Sequence, residues 1–161
     1  MAIEIERKFL LASDGWRALV TRSERMAQAY LTRQDADQRC SVRVRIAGED
    51  ATLNIKSADK GRARQEFEYA LPLADAEALM ALAGGAAIDK QRHYVPWGEL
   101  TWEIDEFLGI NAGLVVAEIE LPGMDTPFER PAWLGPEVTD DLRYYNSALA
   151  EHPYTAWSAS A

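Results

Sequence analysis

At 161 residues and 18.0 kDa the chain suits a single domain over residues 1–161 with a sizeable core. A formal net charge of -9 and a pI near 4.7 argue against binding nucleic acid or an anionic membrane through general surface charge, so any anion site must be local. Cys40 is the lone cysteine, which excludes an intrachain disulfide, and no run of about 18 apolar residues is present; a soluble, cytoplasmic protein is expected.

Residues 1–11 alternate Glu4, Glu6 and Lys8 with Ile3, Ile5, Arg7 and Phe9, the pattern of a strand with one charged face. Ser13 or Asp14 then caps a short covering helix with Trp16, Leu19 and Val20 at helical spacing. Residues 25–32 read as a second strand with Met26, Gln28, Tyr30 and Thr32 on one face. Tyr30 either looks inward or packs with its hydroxyl on backbone. A polar turn over 34–38 leads into a strand at 41–46, where Arg43 and Arg45 alternate with Val42, Val44 and Ile46. Gly48-Glu49-Asp50 is a hairpin turn into 51–57, with Asn54 and Lys56 between Leu53 and Ile55. A hydrophilic loop over 58–63, with Lys60 and Arg62 as solvated charges, precedes a strand at 64–71 in which Arg64, Glu66 and Glu68 share a face.

Pro72 opens and Gly84-Gly85 stops a helix over 72–83, whose Leu73, Ala76, Leu79, Met80 and Leu82 are spaced to cover an apolar wall. The strand at 88–95 carries Lys90 and Arg92, with His93 on its opposite, outer face. Pro96-Trp97-Gly98 turns the chain into 100–107, which carries Glu103 and Asp105. A second turn at 108–112 leads into 113–121 with Glu118 and Glu120. Beyond Pro122, the stretch with Phe128, Trp133 and Leu134 reads as a short helix and loop, 140–151 as a helix ended by His152-Pro153, and 154–161 as a loosely held tail.

Same-sign charges side by side repel on an open sheet surface. Acidic pairs and basic pairs from different strands compensate one another if the sheet closes and brings them face to face. The expected fold is therefore α+β: an eight-stranded antiparallel closed β-barrel, a tunnel with a charged lumen, with helices packed on its apolar outside. Outward apolar faces suit a second subunit as well as helices, so a homodimer is left open.

The run Glu4-Ile5-Glu6-Arg7-Lys8-Phe9 resembles the N-terminal E-x-E-x-K signature of the CYTH family, also called triphosphate tunnel metalloenzymes. The later pairs are similar to that family's order of basic and acidic motifs over nearly the whole chain. The resemblance implies that Lys8, Arg43, Arg45, Lys56, Lys90 and Arg92 hold phosphate and that Glu4, Glu6, Glu118 and Glu120 hold metal. Arg143, Tyr144, Tyr145 and Asn146 resemble the opening of a C-terminal helix that blocks one tunnel end, here within 140–152. The departure is that no Lys or Arg follows Arg143.

Elementary chemistry suits those roles. A linear triphosphate presents several negative charges that must be neutralised along its length before water attacks. Arg offers a planar fork matched to phosphate oxygens, and Lys a compact point charge. Carboxylates do not bind phosphate, so Glu4, Glu6, Glu118 and Glu120, with Glu103 and Asp105 as further candidates, imply a hard divalent cation, Mg²⁺ or Mn²⁺. Rows that merely pair as salt bridges are the rival account of the same residues, and six facing cations are hard to justify that way. Neither His93 nor His152 resembles half of a nucleophile pair, and no Gly-rich phosphate loop or zinc cluster is present. The expected activity is metal-dependent hydrolysis of inorganic triphosphate, a small-molecule polyphosphate, with Glu4, Glu6 and Lys8 at the catalytic centre. Metal-bound water is the expected nucleophile and a lining carboxylate its proton acceptor. A class IV adenylate cyclase, a thiamine triphosphatase and a non-enzymatic polyphosphate-binding module are the rival readings.

Overall fold

The computed structural model describes residues 2–33, 37–58, 63–83 and 87–160. Its strands are β1 (Ala2–Leu11), β2 (Arg22–Tyr30), β3 (Cys40–Ala47), β4 (Asp50–Ser57), β5 (Ala63–Ala70), β6 (Ile88–Trp97), β7 (Leu100–Phe107), β8 (Val115–Glu120) and β9 (Leu134–Glu137). Two α-helices accompany them, α1 (Leu73–Leu82) and α2 (Asn146–Glu151). Every pairing is antiparallel, in the order β5-β4-β3-β2-β6-β7-β8-β1, and β1 also pairs β5, which closes the barrel at eight strands. β1 carries the seam: Ala2 to Ile5 pair with β5, and Glu6 to Leu10 pair with β8. Past the end of β5, β9 takes over beside β1 at Phe9 and Leu11.

The barrel is apolar outside and charged inside. Phe9, Val95, Trp102, Ile104, Ala117 and Ile119 point outward from β1, β6, β7 and β8 and are buried under Trp16, Leu121, Trp133 and Leu134. Their aromatic rings meet edge to face, Trp102 with Phe9 at 5.6 Å and with Trp133 at 5.5 Å, the geometry favoured by ring quadrupoles. On the opposite wall α1 covers Ala29, Val44 and Ala51 through its own Ala76, with Leu73, Leu79 and Met80 around it. Among the described residues no helix is long and apolar enough to cross a membrane.

One end of the lumen is apolar. Leu10, Ile88, Phe107 and Val116 each lie two residues from a charged lumen position (Lys8, Lys90, Asp105 and Glu118) and so share its face. They cluster with Leu114, and Leu149 of α2, Tyr144 and Trp157 pack onto them.

Several expectations are corrected. The cap region at Ser13-Asp14 opens a 3-10 turn (Gly15–Leu19), not an α-helix, though Trp16 is buried as a cover should be. The second strand begins three residues early and ends at Tyr30. Pro96 and Trp97 extend β6, because β2 stops pairing at Tyr94 and Pro96 loses no ladder bond on that side. The stretch after Pro122 holds no helix among the described residues and ends instead in β9. The helix expected over 140–151 is a 3-10 turn at Leu142–Tyr144, an extended Tyr145 (φ -71, ψ 139), and then the short α2. The tail is docked: the Tyr154 N–H donates to Asn111 Oδ1 at 2.8 Å and the Thr155 hydroxyl to the Ile110 carbonyl at 2.7 Å. Parts of the predicted turn at 34–38, the loop charges Lys60 and Arg62, and the Gly84-Gly85 stop lie outside the described residues.

Candidate active site

The lumen forms a cavity of about 220 Å³. Strand parity delivers its walls. Glu4, Glu6 and Lys8 come from β1, Arg43 and Arg45 from β3, Asn54 and Lys56 from β4, and Arg64, Glu66 and Glu68 from β5. β6 supplies Lys90 and Arg92, β7 Glu103, and β8 Glu118 and Glu120, while Tyr30, Ser41, Tyr145, Asn146 and Ser147 complete the lining. The described lining thus holds seven basic groups (Lys8, Arg43, Arg45, Lys56, Arg64, Lys90, Arg92) against seven acidic ones (Glu4, Glu6, Glu66, Glu68, Glu103, Glu118, Glu120). With the two signs balanced, a polyanion entering alone would leave the lumen strongly negative, so bound cations or protonation of lumen carboxylates must compensate it.

Lys8 Nζ lies 3.3 Å from Glu118, donates to the Tyr144 carbonyl at 3.2 Å and sits 4.6 Å over the Tyr145 ring. Burial alone would lower Lys8, but Glu118 and Glu6 outweigh it and hold the ammonium above its ordinary range. Burial works against ionised Glu118 too, yet Lys8, with Arg92 and Lys90, brings it down to about 2. Lys56 bridges β1 and β5, with Glu4 at 2.9 Å and Glu66 at 3.5 Å. Arg64 stands 3.9 Å from Glu6.

Deeper in, Asp105 is 1% exposed and does not reach the cavity. Its carboxylate accepts from Lys90 Nζ at 2.8 Å and from Arg92 at 2.7 and 2.9 Å, and Arg92 also reaches Glu103 at 3.0 Å. These cations hold Asp105 far below the usual carboxylate range despite its burial. Burial pushes Lys90 down to about 7, with Arg92 and Arg45 adding to the shift and Asp105 opposing it. Arg45 falls to about 10 through burial and the neighbouring Arg43 and Arg92. Arg43 Nε is buried and has no hydrogen-bond partner among the described residues, an unsatisfied donor at a lumen-lining residue.

The CYTH domain family matches residues 2–153. The chain belongs to the CYTH family. A protein of Acetivibrio thermocellus named inorganic triphosphatase is 42% identical over 158 residues, covering 96% of this chain and 97% of its own length. One of Nitrosomonas europaea with the same name is 36% identical over 153 residues, 91% of this chain and 96% of the relative. The crystal structure of the inorganic triphosphatase NE1496 superposes with a TM-score of 0.65 at 32% identity over 93% of this chain and 95% of that one.

Membership of the CYTH family implies a divalent cation, and the donor set in this tunnel fits one. Register puts Glu6 opposite Glu120 and Glu118 opposite Glu103. Side by side, these carboxylates repel unless a cation stands between them. Burial raises Glu120, and Glu4 and Glu103 raise it further. Among the described residues no three such groups already surround a single point, because Glu4 and Glu118 are turned to Lys56 and Lys8.

All the sequence-predicted phosphate ligands line the tunnel, as do Glu4, Glu6, Glu103, Glu118 and Glu120. Asp105 lies behind Lys90 and Arg92, both its oxygens engaged. His93 is outside, bonded to Ser23 and Glu106 and packed on Trp16 at 5.2 Å. Sequence reasoning put Arg64, Glu66 and Glu68 on a shared charged face without giving them a ligand role, and gave no side-chain role to Gln28, Tyr145 or Asn146.

Proposed function

We propose that this CYTH tunnel hydrolyses inorganic triphosphate to phosphate and pyrophosphate. The carrying observation is that cations from five strands converge on one cavity, where the buried Nε of the lining residue Arg43 has no hydrogen-bond partner among the described residues. Two relatives of matching length named inorganic triphosphatase support the same reading. Lys8, Arg43, Arg45, Lys56, Lys90 and Arg92 hold the phosphoryl oxygens, while Asp105 fixes the directions of Lys90 and Arg92 from behind. Glu4, Glu6, Glu118 and Glu120, with Glu103 beside them, would hold the divalent cation. Their all-oxygen character suits Mg²⁺ or Mn²⁺. Once bound, such an ion supplies a Lewis acid at phosphoryl oxygen and a water of lowered pKa. A lumen carboxylate takes the proton of the attacking water, an O–P bond forms at a terminal phosphorus, and the bridging P–O bond breaks to release pyrophosphate. Lys8, held between Glu118 and Tyr145, faces the negative charge that develops. The 140–152 segment closes one end, with Leu149 seated on the apolar floor.

The test is phosphate release from tripolyphosphate with and without Mg²⁺ or Mn²⁺, in the wild type and in Lys8→Ala and Arg43→Ala. Each variant should lose roughly a hundred- to thousandfold in turnover, the range for one preorganised charge-stabilising donor. Metal-independent release, or two folded variants of near-normal activity, would dismiss the assignment.

A further inference from the structure

Asn146, the first residue of α2, lines the closed end of the cavity. Its Oδ1 accepts from Lys90 Nζ at 2.9 Å and from Gln28 Nε2 at 3.0 Å. The Gln28 contact is not reversible: the oxygen of the fully buried Gln28 is committed to Arg45 Nε at 2.9 Å, where a guanidinium can only donate, so its nitrogen faces Asn146. Arg45 therefore fixes the amide of Gln28, and Gln28 fixes that of Asn146. Asn146 Nδ2 is forced to the opposite side of the carboxamide, where it has no hydrogen bond to any described residue. It is a neutral donor on a residue that lines the same cavity as Lys90 and Arg45. Such a group adds a hydrogen bond to a phosphoryl oxygen without adding to the repulsion among neighbouring cations.

We propose that Asn146 is a substrate-binding residue, donating through Nδ2 to an oxygen of the terminal phosphoryl group at the closed end, and that Gln28 is the positioning residue that aims it. The inference rests on the tunnel being the triphosphate site. The chain has three asparagines, Asn54, Asn111 and Asn146, so selective ¹⁵N-asparagine labelling of the full-length protein gives three side-chain amide pairs. Asn111, bonded to the Leu149 carbonyl and the Tyr154 N–H, is an internal reference. Saturation with non-hydrolysable imidotriphosphate should move an Asn146 Nδ2 proton downfield and leave Asn111 in place. Asn146→Asp keeps the acceptor for Lys90 and Gln28 but loses the N–H. It should raise KM for triphosphate about tenfold with kcat within about threefold, the pattern of lost uniform binding. Gln28→Glu, which keeps the acceptor for Arg45 and loses the donor to Asn146, should raise KM by a smaller factor. An Asn146 signal unmoved in a saturated wild type overturns the proposal whether or not the variants fold, and so does an unchanged KM in folded Asn146→Asp. A wild type that neither binds imidotriphosphate nor cleaves triphosphate overturns the triphosphatase reading and takes this inference with it.

Discussion

Glu6 and Glu118 are glutamates on adjacent strands of one lumen, and their environments push them in opposite directions. Glu118 has Lys8 beside it and stays ionised. Glu6 stands opposite Glu120 and, among the described residues, has only Arg64, at 3.9 Å, as an ion-pair partner. Burial, and then Glu118, push Glu6 up to about 7, with Lys56 opposing. A carboxyl whose folded pKa exceeds its ordinary value of 4.5 contributes stability that is complete below about pH 4.5 and is lost as pH rises through about 7. A fifth of the Glu6 side chain remains exposed, so the effect is on the order of 1–2 kcal/mol. The melting temperature of metal-free protein should therefore fall by a few degrees between pH 5 and pH 7, above which Lys90, held at about 7, works in the opposite direction. Glu6→Gln should flatten that slope, and so should saturating Mg²⁺, because a bound cation favours the ionised form. Identical slopes in wild type and Glu6→Gln, both in chelator, would show that Glu6 does not titrate in this window. None of this is visible in the sequence, where Glu6 and Glu118 occupy equivalent places in similar alternating runs.

At the scale of elements, β9 is the piece that locks the seam strand. A Cβ built on Gly135 would stand 2.8 Å from the Leu10 carbonyl oxygen and 3.0 Å from its carbon, both backbone atoms that cannot swing aside. Gly135→Ala must then displace β9 or β1, at a cost of about 1–3 kcal/mol. Because Glu6 and Lys8 sit on β1, turnover should fall along with the melting temperature. A variant with wild-type melting and activity would show that the contact relaxes freely. β9 was illegible beforehand because Leu134-Gly135-Pro136-Glu137 is short, lacks alternation and carries two turn-forming residues. Most of the barrel strands were legible because their lumen-facing rows carry charge at a two-residue period, and that period also put the side chains proposed to bind phosphate on the lumen face. It could not show depth: Asp105 and Glu103 share a face, yet one is buried behind two cations and the other reaches the cavity. The apolar floor was present in the same parity, where Lys8 gives way to Leu10, Lys90 to Ile88, Asp105 to Phe107 and Glu118 to Val116. Helical spacing over 140–151 overran because it carried no sign of the extended Tyr145 that sends Asn146 into the tunnel.

The whole molecule sets the substrate through the shape these elements enclose. In the proposed function the apolar floor under Leu149 and the amides of Asn146 and Gln28 occupy one end, and a polyphosphate enters and leaves from the other. Cations from β1, β3, β4, β5 and β6 lie along the path between, and every phosphoryl group of a bare triphosphate finds positive partners. ATP is one anionic oxygen poorer at its α-phosphate. With its γ-phosphate at the closed end, its ribose and adenine must lie among Arg and Glu side chains or project from the tunnel. Triphosphate should accordingly exceed ATP in kcat/KM by at least about tenfold, about 1.4 kcal/mol of transition-state stabilisation. Pyrophosphate, one phosphoryl group shorter, should bind and compete yet turn over poorly, because a group placed for attack leaves too little chain to engage the remaining cations. Parallel measurements of phosphate release from the three compounds at one Mg²⁺ concentration decide the matter. ATP turnover equal to that of triphosphate would mean that the mouth recognises the nucleoside, and cyclic AMP among the products would replace hydrolysis by cyclisation as the chemistry of this tunnel.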